Sequence, residues 1–194
     1  TQWEIVGAVP QISELWLIPL LETMLVQFPF RIRGFPSDNG SEFINHTVQR
    51  LLNKLMIEQT KSRAHRSGDN GLVEAKNAAV IRKHIGFGHI GMQHAEAVDQ
   101  FHREYLNPYL NFHRPCAVPL LLIEPNGKRR RVYRRWATPF ELLQEVPRCV
   151  DFLRSGLTLP ELQRVATQQS DTEAALDMQR AKHQFMHRIA KRSA

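Results

Sequence analysis

The sequence has few cysteines and no long apolar run. Cys116 and Cys149 are its two cysteines in 194 residues, and two separated thiols form neither a disulfide framework nor a zinc site. A reduced, cytoplasmic setting is therefore expected. No apolar run reaches about 18 residues, the length of a transmembrane helix, because the richest stretch, 15–26, contains Pro19 and Glu22. We expect no membrane-spanning segment.

The beginning of the chain also lacks a methionine and a leader. The sequence opens with Thr1 and has no basic segment followed by an apolar one, which is the pattern of a secretory signal. We interpret the sequence as part of a longer chain.

Positive charge is in excess. The 26 Lys and Arg residues outnumber 19 Asp and Glu residues, which gives a formal net charge of +7. This excess favours an anionic partner, with nucleic acid as the first candidate and an acidic membrane surface as the second. An ordinary, modestly basic protein is the alternative. Hydrophobic residues make up 42% of the chain, enough for a packed core.

Strands and helices are predicted to alternate over the first 115 residues. The apolar patterns predict strands at 3–9, 30–35 and 56–63, and helices at 13–27, 41–54, 72–85 and 95–111. Pro19 predicts a kink or a late start in the first of these helices. Strands that alternate with helices favour an α/β fold, with a central sheet covered by helices.

The character of the chain changes after Pro115. An apolar stretch, an Asn-Gly turn and a basic stretch within 117–136 predict a hairpin or extended arm. The polar segments 160–165 and 171–192 predict peripheral helices. The predicted domains are an α/β core at 1–115, a basic hairpin at 116–145 and a helical tail at 146–194.

Two carboxylates are the candidate catalytic residues. Asp38 follows a predicted strand, Glu74 stands near the start of a predicted helix, and 35 residues, 39–73, separate them. That length accommodates a loop, a helix, a strand and a loop, and so returns the chain to the same end of the sheet. Carboxylates from different elements suit Mg²⁺, which prefers hard oxygen ligands. Two such ions can serve both ends of a phosphodiester displacement. The alternative is that Asp38 is an ordinary turn residue and Glu74 an ordinary solvated helix residue, without a catalytic role.

Further motifs surround these two carboxylates. Ser37 to Phe43 reads SDNGSEF, and Gly71, Leu72 and Val73 precede Glu74, after which the predicted helix is basic. Asn111 to Pro115 reads NFHRP, and Thr138-Pro139 follows. Together these segments resemble the catalytic core of the DDE transposases and retroviral integrases, including that family's N-x-x-R-P and Thr-Pro segments. The resemblance covers roughly residues 1–145 and implies that 1–115 is a partial integrase catalytic core.

The resemblance implies a ribonuclease-H-like mixed sheet flanked by helices. It also implies Mg²⁺ or Mn²⁺ at Asp38 and Glu74, and DNA integration by strand transfer on transposon ends and target DNA, in the bacterial cytoplasm near the nucleoid. Strand transfer at two ends suggests self-assembly. The family's first Asp has no match, since Glu4, Glu14 and Glu22 are the only acids before Asp38. The first strand or strands are therefore expected to be missing, and whether this chain is an enzyme stays open.

Basic residues near these motifs, together with one asparagine, are the candidate DNA contacts. Around the Glu74 helix they are Arg63, Lys76, Asn77, Arg82 and Lys83, and in the arm they are Lys128, Arg129, Arg130, Arg131, Arg134 and Arg135. Cations of this kind bind phosphates, and the neighbouring Tyr133 and Trp136 suit stacking. A solvated helix or hairpin surface is the alternative for both sets.

Three functions remain open from the sequence. The first is metal-dependent strand transfer, and the second is a catalytically inactive remnant that binds DNA or assists assembly. The third is a different ribonuclease-H-like nuclease, which would cut RNA–DNA hybrids in place of joining DNA.

Overall fold

The computed structural model describes residues 1–37, 46–61 and 77–192 of the chain. The fold is mixed α/β, with more helix than strand. The strands are β1 (Gly34–Ser37), β2 (Glu58–Lys61), β3 (Cys116–Ile123) and β4 (Arg129–Ala137). The helices are α1 (Glu14–Leu25), α2 (His46–Lys54), α3 (77–85), α4 (92–113), α5 (Pro139–Gln144), α6 (Leu159–Thr167) and α7 (Asp171–Arg192). None of the helices described is long and apolar enough to cross a membrane.

The chain forms two compact units. The strand-pair unit comprises Ala8–Val26 and Ile32–Glu96, and the hairpin unit comprises Thr1–Gly7, Gln27–Arg31 and Ala97–Ala194. The predicted domain boundaries after residues 115 and 145 both fall inside the hairpin unit.

The strand-pair unit is built on a parallel pair of strands. β1 pairs with β2 from Gly34 opposite Glu58 to Ser37 opposite Lys61. Parallel neighbours need a crossover connection, and α2 lies in it. Its residues Val48, Leu51 and Leu52 share one helical face and are buried against Leu17 and Leu21 of α1 and Ile57 before β2.

Proline 19 does not interrupt α1. The helix runs from Glu14 to Leu25 with Pro19 inside it, so the predicted late start is wrong, whereas the kink stays a prediction. Pro19 has no N–H to donate to the carbonyl of Leu15. Leu15 and Trp16 of this helix are exposed, at 76% and 43%.

The first nine residues belong to no strand of the structure, so the strand predicted at 3–9 is wrong. Asparagine side chains bind this segment in place of a neighbouring strand. Asn111 accepts from the N–H of Glu4 at 2.9 Å and donates to its carbonyl at 2.7 Å. Asn107 makes the same pair of bonds to Val6, at 2.9 and 3.0 Å. One turn of α4 thus satisfies alternate peptide groups of an extended chain.

The predicted hairpin is confirmed. Pro125 and Asn126 lead into Gly127, whose φ is +79°, and Lys128 donates its backbone N–H to the Asn126 side chain at 2.9 Å. A positive φ at this position favours glycine. A bulge at Val118 and Pro119 leaves Arg134 as the extra residue of β4.

The C-terminal helices form as predicted, but α7 is not peripheral. Thr138 and Thr158 cap α5 and α6 by reciprocal bonds with Glu141 and Glu161. On α7, Ala174, Met178 and Phe185 are buried. The Phe185 ring stacks on that of Phe101 in α4, with 5.5 Å between centroids.

Replacing Asn111 with alanine is expected to lower the free energy of unfolding by about 2–4 kcal/mol. The change leaves the N–H and carbonyl of Glu4 without their bonds, and each such buried group costs about 1–3 kcal/mol. Chemical denaturation followed by circular dichroism measures the loss. Gln100→Ala, at an exposed position of α4, is the control and should change stability by less than about 0.5 kcal/mol. Equal, small effects of both changes would show that the asparagines do not hold the N-terminal segment.

Candidate functional site

The carboxyl ends of β1 and β2 lie side by side in the strand-pair unit. Ser37 is opposite Lys61 at this edge, and neighbouring strands are about 4.8 Å apart. Asp38 is the next residue in the sequence after Ser37, and the segment that contains Glu74 continues from Lys61. In parallel sheets, ligands bind beyond the carboxyl ends of the strands. The strands that precede the Asp38 and Glu74 segments therefore end at the same edge of the strand pair.

Several candidate residues lie outside the part of the chain that the structure describes. They are Asp38, Arg63, Glu74 and Lys76. Asn77 is the first described residue of α3, three positions after Glu74 in the sequence, and its side chain is not described. Within the described ranges, no three His, Cys, Asp or Glu residues form a group suited to a metal ion.

The two candidate cations of α3 are at the protein surface. Arg82 and Lys83 are exposed, whereas Val80 and His84 turn into the unit. The guanidinium carbon of Arg82 lies 5.5 Å from the centre of the Phe87 ring. Stacking of this kind restrains the guanidinium and leaves its in-plane N–H groups to donate to a phosphate.

The cations of the hairpin stand on both of its faces. In an antiparallel pair, residues opposite each other share a face, and successive residues alternate. Arg129 and Arg131 are opposite Ile123 and Leu121 on one face, and Arg130 is opposite Leu122 on the other. All three arginines, with Lys128 and Arg134, are exposed. Among the described residues, none of these five side chains has an acidic partner.

Arg135 differs from the other hairpin cations. Its guanidinium donates to both carboxylate oxygens of Glu145, with Nη1 to Oε2 at 2.9 Å and Nη2 to Oε1. These hydrogen bonds, aided by the attraction of opposite charges, lower the pKa of Glu145 and raise the pKa of Arg135. Both side chains are about half exposed. The charge that Arg135 would offer to DNA is already partly neutralised within the chain.

Sequence reasoning missed a cavity in the hairpin unit. It has a volume of about 540 Å³ and lies between α4 and α7, with Gln100, Glu104, Tyr105, Gln184 and His187 in its lining. Phe101 and Phe185 form its aromatic part. The lining residues of α4 and those of α7, for example Glu104 and Gln184, are about 80 positions apart in the sequence, so no local pattern indicates that they meet.

Comparisons with known proteins leave the family open. No family model matches the chain. A stretch of 113 residues, 58% of this chain, is 32% identical to the uncharacterized protein y4rM of Sinorhizobium fredii. The match spans about a third of that relative, 31% of its length.

The Arg135–Glu145 pair predicts a pH dependence that can be measured at one carboxyl. The Glu145 carboxylate should stay ionised below the ordinary pKa of glutamate, and the pair should be lost only as pH falls through the lowered pKa. In Arg135→Gln the pKa of Glu145 should return to its ordinary value, as followed by a carbon-13 NMR titration of the side chain. The lowered pKa of Glu161, which arises from hydrogen bonds with Thr158, should not change. A Glu145 pKa that is the same with and without Arg135 would contradict the pairing.

Proposed function

We propose that this chain belongs to a DDE-type transposase or integrase, and that Asp38 and Glu74 bind divalent cations for DNA strand transfer. One observation supports this most strongly: β1 and β2 are parallel and end at the same edge. The segments with the two carboxylates leave from that edge. The SDNGSEF string and the spacing of 35 residues, 39–73, add to it.

The donor chemistry fits Mg²⁺ or Mn²⁺. Carboxylate oxygens are hard ligands, and such ions take few protein carboxylates together with substrate phosphate and water. Ions held there would stabilise charge on the attacking hydroxyl and on the leaving oxygen of a phosphodiester. Asp38 and Glu74 would hold the ions. Arg82 and Lys83, with Arg63, Lys76 and Asn77, would position the DNA backbone through its phosphates.

The proposal extends to the fold and the setting. The β1–α2–β2 arrangement is of the kind that a ribonuclease-H-like sheet contains, with helices covering parallel strands. The partners would be duplex DNA, as transposon ends and target, and further copies of the protein. The reaction would take place in the bacterial cytoplasm, at the nucleoid.

A second candidate is a DNA-binding or assembly module without catalysis. It is favoured by the location of Glu4, the first acid of the chain. The peptide group of Glu4 is bound by Asn111, and its carboxylate is 3.8 Å from Arg114 in the hairpin unit. The Glu4 side chain is thus already engaged within the hairpin unit. This candidate predicts salt-sensitive binding of duplex DNA without joining in Mg²⁺ or Mn²⁺.

Mn²⁺ binding separates the two candidates. Asp38→Asn and Glu74→Gln should each lower the affinity for Mn²⁺ by at least about tenfold, because even the loss of outer-shell partners costs 10–100-fold. Electron paramagnetic resonance of free Mn²⁺ measures the binding. Glu58→Gln is the matched control, since Glu58 lies at the opposite end of β2 and should not affect it.

Strand transfer is then assayed with the longest natural protein that contains this sequence. Duplex ends should be joined to a plasmid in Mg²⁺, and Asp38→Asn and Glu74→Gln should each abolish joining while duplex binding persists. If Mn²⁺ binds equally well to all three variants and to the unaltered protein, the two carboxylates do not form a metal site. Duplex binding without joining would then support the non-catalytic module.

A further inference from the structure

We propose that the β3–β4 hairpin enters the major groove of duplex DNA, with cations from its two faces directed to the two phosphate walls. This inference rests on the proposed DNA partner, but it does not depend on the metal site or on catalysis. It concerns the segment from Pro119 to Tyr133, which contains the turn and the parts of both strands beyond the bulge.

The hairpin is uncovered on both faces. On one face, Leu121, Ile123 and Tyr133 are 56%, 68% and 57% exposed, and on the other, Leu120 and Leu122 are 44% and 42% exposed. A two-stranded sheet that packs on its own protein buries one face. Nothing in the described part of the chain covers either face of this one, so its apolar side chains are left for a partner.

The charges specify an anionic partner that reaches both faces. Arg129 and Arg131 stand on one face and Arg130 on the other. They are exposed and, among the described residues, have no acidic partner. A flat anionic surface would contact the cations of one face alone. A groove with phosphates along both walls would contact the cations of both.

The dimensions favour the major groove. The major groove is about 12 Å wide and admits a two-stranded ribbon, whereas the minor groove is about 6 Å wide. The aliphatic residues of β3 stand on the same two faces as the arginines. The long arginine side chains can extend past them to the phosphates.

The number of cations predicts the salt dependence of binding. Each lost phosphate contact should reduce the slope of log K against log salt by about 0.9. Arg129→Gln with Arg131→Gln should therefore reduce the slope by about 1.8, and Arg130→Gln by about 0.9. Arg135→Gln is the matched control, because Arg135 is already paired with Glu145, and it should change the slope least.

The decisive experiment combines affinity with a groove-specific footprint on the unaltered chain. Fluorescence anisotropy of a labelled duplex, over a range of salt concentrations, gives the slopes. Dimethyl sulfate reports the groove, since it methylates guanine N7 in the major groove and adenine N3 in the minor groove. We expect protection of guanine N7, loss of that protection when Arg129, Arg130 and Arg131 are all replaced by Gln, and reduced slopes for the variants of both faces.

Four outcomes would overturn the inference, and they differ in what else they affect. Protection of adenine N3 alone would place the contact in the minor groove, and an effect confined to one face would mean that the hairpin lies flat on DNA. Unchanged duplex binding by the triple variant would remove the hairpin from the interface and leave the proposed function intact. If the unaltered chain binds no duplex, the DNA partner shared with the proposed function fails as well. Circular dichroism of the triple variant checks that the surface changes leave the fold intact.

Discussion

The in-register parallel pairing of β1 with β2 is the constraint on which the candidate metal site depends. Since both strands run in one direction, both ends that lead to a carboxylate face the same edge. A slip of one residue would turn each side chain of a strand to the other face. The buried residues of the crossover helix, Val48 and Leu52 in particular, hold the register by packing against α1 and Ile57.

The basic residues fall into two sets with different supports. Arg82 and Lys83 lie on α3, where Val80 and His84 are buried, so their backbone positions depend on the core of the strand-pair unit. The hairpin cations stand on strands that bury little, and only Arg135 is held by a carboxylate, Glu145, among the cations of β4 in the described chain. Under the proposed function, the first set would position a reacting phosphate, and the second would make a longer contact with DNA phosphates.

Much of the local structure could be predicted because the signals are local. The Asn-Gly pair indicates the hairpin turn, and Thr138 with Glu141 indicates a helix start, since each motif satisfies backbone groups within a few residues. The strand predicted at 3–9 was wrong because an apolar, β-branched segment indicates an extended chain but not its partner. Here the partner is the side-chain amides of Asn107 and Asn111, about 100 residues away. Likewise, α7 is polar on average, so its sequence did not indicate that Ala174, Met178 and Phe185 are buried. Phe185 packs on Phe101 of α4, a contact between residues far apart in the sequence.

For the candidate site, the proposed metal ligands come from the sequence, and the arrangement of the strands comes from the structure. The motif around Asp38 and the spacing to Glu74 indicate these two residues as the proposed ligands. The parallel register of β1 and β2 is the reason to expect them close together. The sequence could not show which hairpin cations already have an acidic partner. The hydrogen bond from Arg135 to Glu145 joins β4 to the residue that follows α5.

The most direct measurement is a crystal structure of the protein grown with Mn²⁺, with the manganese located by its anomalous scattering. The account predicts a manganese peak beyond the carboxyl ends of β1 and β2, with oxygens of both Asp38 and Glu74 within about 2.0–2.3 Å, the range of hard-cation ligands. Carboxylates on opposite sides of the strand pair, or manganese bound by neither residue, would contradict it.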